Sequence, residues 1–115
     1  MLQVTSITND PYQKQTLFLP NGEAVTFLLY FRPMQFGWFI PELTYNDFVL
    51  KGVRVTNSPN ILFQFMNQIP FGLACYSKEN REPTLQDDFS SGASTLYILT
   101  EEECQAYLEF VRGQV

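Results

Sequence analysis

Apolar residues in this chain fall into short alternating or near-continuous runs, separated by turn-forming residues at spacings that suit an all-β domain. Residues 2–7 (LQVTSI) are β-prone, and Asp10-Pro11 ends that segment. Residues 15–19 (QTLFL) and 24–31 (AVTFLLYF) flank Pro20-Asn21-Gly22-Glu23. Asn-Gly between β-prone runs signals a hairpin, because both residues tolerate positive φ. In the second run Val25, Phe27, Leu29 and Phe31 share one face, and Ala24, Thr26, Leu28 and Tyr30 share the other. Both faces are largely apolar, so this strand is expected to be covered on both sides. Pro33 then breaks the ladder.

Residues 36–43 (FGWFIPEL) and 48–55 (FVLKGVRV) read as a second hairpin around Tyr45-Asn46-Asp47, held by aromatic and β-branched cross-strand pairs. Gly37 and Gly52 lie inside these strands and predict a bulge, a bend or a close backbone approach. Asn57-Ser58-Pro59-Asn60 is a loop. Residues 61–66 (ILFQFM) and 71–76 (FGLACY) are two further apolar runs, split by Asn67-Gln68-Ile69-Pro70. Residues 77–94 form the longest polar segment and read as a surface loop with one short turn of helix near 85–88. Residues 95–99 (TLYIL) give a last strand.

The C-terminal pattern changes period. Thr100 with Glu103 forms a capping box, and Glu101–Glu103 place acids at the positive end of the helix dipole. Cys104, Tyr107, Leu108 and Val111 then recur at helical spacing. Arg112 sits in the last turn and Gly113 follows as a stop. The expected architecture is one domain over 1–115: all-β, mainly antiparallel, a small barrel or sandwich over about 2–99, with one C-terminal helix over about 101–112.

Composition narrows the function classes. The 115 residues suit a single core, which at this size removes roughly 60–70% of the unfolded chain's surface from water. No apolar run approaches the roughly 18 residues of a membrane-spanning helix, and MLQVTSITND lacks a basic n-region and an apolar h-region. A net charge of −5 argues against nucleic acid as a partner. Residues 1–60 balance four acids with four bases, whereas residues 61–115 carry eight acids and three bases.

Candidate chemistry is sparse. The chain has no histidine, which removes the commonest general base and metal ligand. Asp87-Asp88 has the form of a carboxylate pair, but adjacent acids in a polar loop are ordinarily solvated. Glu101–Glu103 is explained by the capping box. Cys75 alternates within an apolar run, and Cys104 lies on the apolar stripe near a helix N-terminus, which lowers a thiol's pKa when the site is open. Ser90-Ser91-Gly92 lacks a base. No catalytic set, cofactor or metal is expected.

The aromatics invite two readings. Phe27, Phe31, Phe36, Trp38, Phe39, Phe63, Phe65 and Phe71 form either a Phe-rich core or, in part, the anchors of a protein interface. A sugar-stacking groove is a third use of such residues.

An ordered set of segments carries a family resemblance. FLLYFRPMQFGWFIPEL (27–43) and LKGVRVTNSPNIL (50–62) resemble successive segments of the phage baseplate plug family. IPFGLACYS (69–77) and PTLQDDFSSGASTLYILTEEE (83–103) resemble its last strands. The resemblance covers about residues 13–103, and Pro41 departs from it where an acidic or apolar residue is expected.

The resemblance implies a non-catalytic structural protein of a contractile-tailed phage, located in the virion baseplate and in the host cytoplasm during assembly. It implies partners among the baseplate hub, the spike, tail-tube or tube-initiator proteins and copies of itself, with no membrane. Candidate interface residues are Arg32, Met34, Gln35, Phe36 and Trp38 around the central turn, and Asp87, Asp88 and Phe89 in the acidic loop. A cytoplasmic adaptor or inhibitor absent from virions, a carbohydrate-binding module and an enzyme are the alternatives.

Overall fold

The computed structural model describes residues 2–5, 7–19, 22–65, 68–78 and 81–113, without the side chains of Leu2, Val111 and Arg112. Asn21 of the first hairpin turn, Met66 and Asn67 therefore lie outside the described residues, as do the Val111 and Arg112 side chains of the helix. Seven strands precede one helix: β1 (Leu2–Gln3), β2 (Tyr12–Phe18), β3 (Ala24–Arg32), β4 (Gly37–Tyr45), β5 (Phe48–Arg54), β6 (Phe71–Ser77), β7 (Ser94–Thr100) and α1 (Glu101–Gly113).

The strands form two antiparallel sheets, a meander in the order β2-β3-β4-β5 and a smaller sheet in the order β1-β7-β6. They do not close into a barrel. The sheets share one core, in which Val25, Phe27 and Leu29 of β3 and Trp38, Ile40 and Leu43 of β4 meet Phe71, Leu73 and Cys75 of β6 and Leu96 and Ile98 of β7. Tyr45 and Phe71 join the layers edge to face, with ring centroids 5.3 Å apart. Helix α1 forms a third layer on the far side of the smaller sheet. There Cys104 packs with Ala74 and Leu99 in a separate small cluster.

The capping box forms as expected. The Thr100 amide donates to Glu103 Oε1 at 3.1 Å, and the Glu103 amide donates to Thr100 Oγ1 at 3.2 Å. Of the helical stripe, Cys104 is buried while Tyr107 and Leu108 are half-buried, and the Tyr107 ring meets Phe63 at 5.4 Å.

Pro41 sits inside an inner strand, where proline is tolerated at a bulge. Between the pairs Phe27–Leu43 and Tyr30–Phe39, two β3 residues oppose three β4 residues. The alternation of β4 slips at that point: Trp38 and Ile40 point inward, Pro41 and Glu42 both point outward, and Leu43 and Tyr45 resume the inward face. Strand β5 slips in step. Leu50 is buried, Lys51 and Gly52 are both exposed, and Val53 turns back toward the core. The β4–β5 register is therefore undisturbed, and the shift appears only against β3. Gly52 meets the bulge with φ 75°, a backbone that other residues adopt at a cost.

Three expectations change. Strand β3 is buried on one face alone, because Ala24 on the other is exposed and Thr26, Leu28 and Tyr30 are half-buried. Of the run at 61–66, the described residues 61–65 are not a strand: turns lead into a single 3-10 turn at Phe63–Phe65. Within 77–94, the described residues 85–93 form successive turns rather than helix at 85–88, and the segment sends Pro83, Asp88 and Phe89 inward.

Asn60 explains the second change. Its buried Oδ1 accepts the Leu62 amide at 3.0 Å and the Leu73 amide at 3.3 Å, which starts the turn and ties it to β6. Backbone bonds between Ser58 and Cys75, and from the Ile61 amide to the Leu73 carbonyl, continue the pairing. The expected outcome of Asn60→Ala is a loss of about 1–3 kcal/mol, the cost of leaving buried amides without an acceptor, measured by urea unfolding.

Candidate functional site

The β3–β4 connection is a short 3-10 turn, Pro33–Gln35, whose proline presets the first helical position. Phe36 closes it in the left-handed region at φ 50° and ψ 52°, and its amide donates to the Pro33 carbonyl at 3.3 Å. That conformation costs a non-glycine residue roughly 1–2 kcal/mol. Arg54 from β5 holds it in place, with Nη2 donating to the Phe36 carbonyl at 3.2 Å. The same guanidinium lies over the Phe39 ring at 5.3 Å. Gly37 makes room for it, since a Cβ there would stand 2.7 Å from Arg54 Nη2. The turn is thus clamped from below while its side chains face solvent. Met34 is 92% exposed and Phe36 69% exposed, and Arg32 and Gln35 are exposed beside them.

Trp38 has the opposite environment. It is fully buried, its rings flanked by Phe31 at 5.5 Å and Phe89 at 5.6 Å. Its Nε1–H donates to the Leu85 carbonyl at 3.1 Å, which brings the acidic loop over the start of β4.

The loop itself is built on Asp88, which is 1% exposed. Arg81 binds it with both arms of the guanidinium: Nη2 donates to Oδ1 at 2.6 Å and Nη1 to Oδ2 at 3.0 Å. The Leu85 amide donates to Oδ2 at 2.8 Å. Burial raises this carboxyl's pKa, but the hydrogen bonds and charge of Arg81 and the Leu85 amide outweigh it and hold the group below the ordinary carboxylate range. Asp87, just before it in sequence, is exposed, and its carbonyl accepts the Ser91 amide at 2.8 Å.

The interface candidates therefore separate into two groups. Arg32, Met34, Gln35, Phe36 and Asp87 stand on the surface. Trp38, Asp88 and Phe89 are interior groups that fasten the loop to the core, so they are unavailable to a partner in the folded chain. The aromatic set divides in the same way. Phe27, Trp38 and Phe71 belong to the core, Phe31, Phe39, Phe63 and Phe65 are half-buried, and Phe36 is exposed.

Two residues that matter here were not singled out from sequence, Arg54 and Arg81. Counting the β4–β5 ladder outward from the Asn46-Asp47 turn pairs Phe39 with Arg54. Arg81 is signalled by Asp88 only once that acid is known to be buried.

Both thiols are closed to chemistry by their surroundings. Burial pushes Cys75 up to about 11, with the Glu82 and Asp88 carboxylates adding to it. Burial, and then the carboxylates of Glu103 and Glu101, push Cys104 up to about 11. The helix N-terminus near Cys104 does not prevail over these effects.

The tyrosine pair on the outer face of the larger sheet does not form a flat platform: Tyr12 and Tyr30 meet at 62°. A cavity of about 110 Å³ between β1, β7 and the loop, lined by Val4, Ile7, Phe89 and Leu96, is too small for a sugar. No helix among the described residues is long and apolar enough to cross a membrane. Comparison of the chain with protein-family models gives no match, and comparison with curated proteins gives none either.

Two outcomes check this site. The Asp88 pKa is lower folded than unfolded, so its stabilisation is complete above the unfolded value of about 3.9 and is lost as pH falls from there through the folded value. Wild-type stability should drop on acidification below about pH 4. Asp88→Asn should start about 2 kcal/mol lower at neutral pH and lose less in acid, as read by urea titrations at both pH values. A thiol reagent near pH 8 should leave native Cys75 and Cys104 unmodified and label both in denaturant, because a thiol with a pKa of about 11 is almost wholly protonated there.

Proposed function

We propose that this chain is a non-catalytic structural protein of a contractile-tailed phage baseplate, acting as a plug that links hub or spike to the tail tube. The observation that carries a binding role is the β3–β4 turn. A left-handed Phe36 and an almost fully exposed Met34 project from a backbone clamped by Arg54. Large apolar side chains presented to solvent from a fixed backbone spare a partner the cost of ordering the loop, which favours their use as interface anchors. The baseplate assignment itself is supported by the ordered resemblance of residues 27–43, 50–62, 69–77 and 83–103 to the plug family.

The mechanism is complementarity of shape and apolar surface. Met34 and Phe36 enter a pocket of the partner, while Arg32 and Gln35 form a polar rim. The interior residues Trp38, Asp88 and Phe89 contribute indirectly, by fixing the loop beside the turn. The adaptor reading uses the same turn but places the chain outside the particle. For a carbohydrate-binding module, the buried Trp38 and the angled Tyr12–Tyr30 pair offer no stacking surface.

Phe36→Gly separates function from folding. Glycine accepts the left-handed backbone, so the monomer should keep its stability to within about 1 kcal/mol. Loss of the anchor should cost on the order of 2–4 kcal/mol of partner binding and impair tail assembly. Quantitative mass spectrometry of purified particles should find this chain at a small fixed copy number relative to the tail-tube subunit. Its absence would overturn the baseplate reading and shift the assignment to the adaptor or inhibitor reading, and normal assembly with Phe36→Gly would remove the turn as the contact.

A further inference from the structure

The outward face of the four-stranded sheet carries an organised surface that the turn does not account for. Cross-strand pairing sets Tyr12, Tyr30, Phe39 and Arg54 in one row across all four strands. Tyr12 and Tyr30 touch edge to face at 4.2 Å. Phe39 lies beneath two guanidiniums, Arg32 at 5.1 Å and Arg54 at 5.3 Å. Among the described residues the ion pair is Arg81–Asp88, so neither Arg32 nor Arg54 has a carboxylate partner. Two like charges stacked on one ring repel each other, and a carboxylate placed between them relieves the repulsion with charge-assisted hydrogen bonds. The rest of this face has the same sign: Lys14 and Lys51 point outward with it, against the single acid Glu42.

The complementary surface is on the opposite side of the molecule. Helix α1 covers the far face of the smaller sheet, and Glu101, Glu102, Gln105, Ala106 and Glu109 form one exposed stripe along its outer side. Phe110 beside them is 65% exposed. The two sheets lie between these surfaces, so basic face and acidic helix cannot meet within one chain. Dimensions agree, since a helix of 13 residues is about 20 Å long and four strands span about 15 Å.

We propose that the outer face of the four-stranded sheet binds helix α1 of a second copy of this chain, with Arg32 and Arg54 receiving an α1 carboxylate and the tyrosine row receiving its apolar groups. Different surfaces meet in this contact, so it is head-to-tail and builds a ring or a stack rather than a two-fold dimer. The inference does not rest on the baseplate reading, which particle composition tests separately.

The test uses the full chain in sedimentation velocity, at about 50 mM and about 500 mM salt. Wild type should associate as concentration rises, at least tenfold more weakly in the higher salt. A sheet variant, Lys14→Glu with Arg32→Glu, and a helix variant, Glu102→Lys with Glu109→Lys, should each remain monomeric alone. Mixed, they should associate again, because each contributes one intact surface and the two reversed surfaces are complementary in charge to each other. Circular dichroism checks folding, and alanine replaces the reversed charges if either variant is unfolded. A monomeric wild type at about 0.5 mM and low salt would overturn the proposal, since a contact with tens of micromolar affinity is mostly occupied there. A closed dimer unaffected by the helix variant, or a mixture of folded variants that stays monomeric, would overturn it equally.

Discussion

A buried indole N–H must find an acceptor, and at Trp38 that requirement organises the second half of the chain. The acceptor is a carbonyl 47 residues later, at Leu85. Reaching it brings a polar segment against the core, and the segment stays there because Phe89 packs edge to face with the same indole and Asp88 is neutralised by Arg81. The Trp38 carbonyl meanwhile accepts the Val55 amide at 2.9 Å, extending the meander past the end of β5. One side chain thus couples the inner strand of the larger sheet to the loop that leads into β7.

The bulge at Pro41 supplies the second constraint. A strand that kept strict alternation from Trp38 would turn Leu43 and Tyr45 to solvent. The extra outward residue corrects the phase, and Gly52 lets β5 follow. Pro41 is, in the fold, the position that reconciles two core segments of one strand.

How far the sequence is legible follows from how local each determinant is. The hairpin strands and the capped helix rest on neighbours within a few residues, namely alternation, the Asn46-Asp47 turn and the Thr100–Glu103 box, and they are readable. The run at 61–66 has the apolar content of a strand. The shape of its described residues 61–65, however, is decided by the Asn60 side chain, whose second acceptor contact comes from Leu73 on another strand. Within the candidate site, the exposed turn follows from Pro33 and is visible in advance. That Trp38, Asp88 and Phe89 point inward is not, because an aspartate in a polar loop declares itself buried only through a cation that the fold brings to it.

The strand edges also bear on how this chain behaves when crowded. An open sheet offers unpaired amides and carbonyls on which further strands can template. Here β1 is two residues long, and β6 has its free side occupied by Ser58 and Ile61. Strand β5 is interrupted by the outward Lys51-Gly52 step, and β2 carries Lys14 midway. Each edge is shortened, occupied, kinked or charged, so a protein with this many aromatic residues can sit at high local density without propagating cross-β polymer.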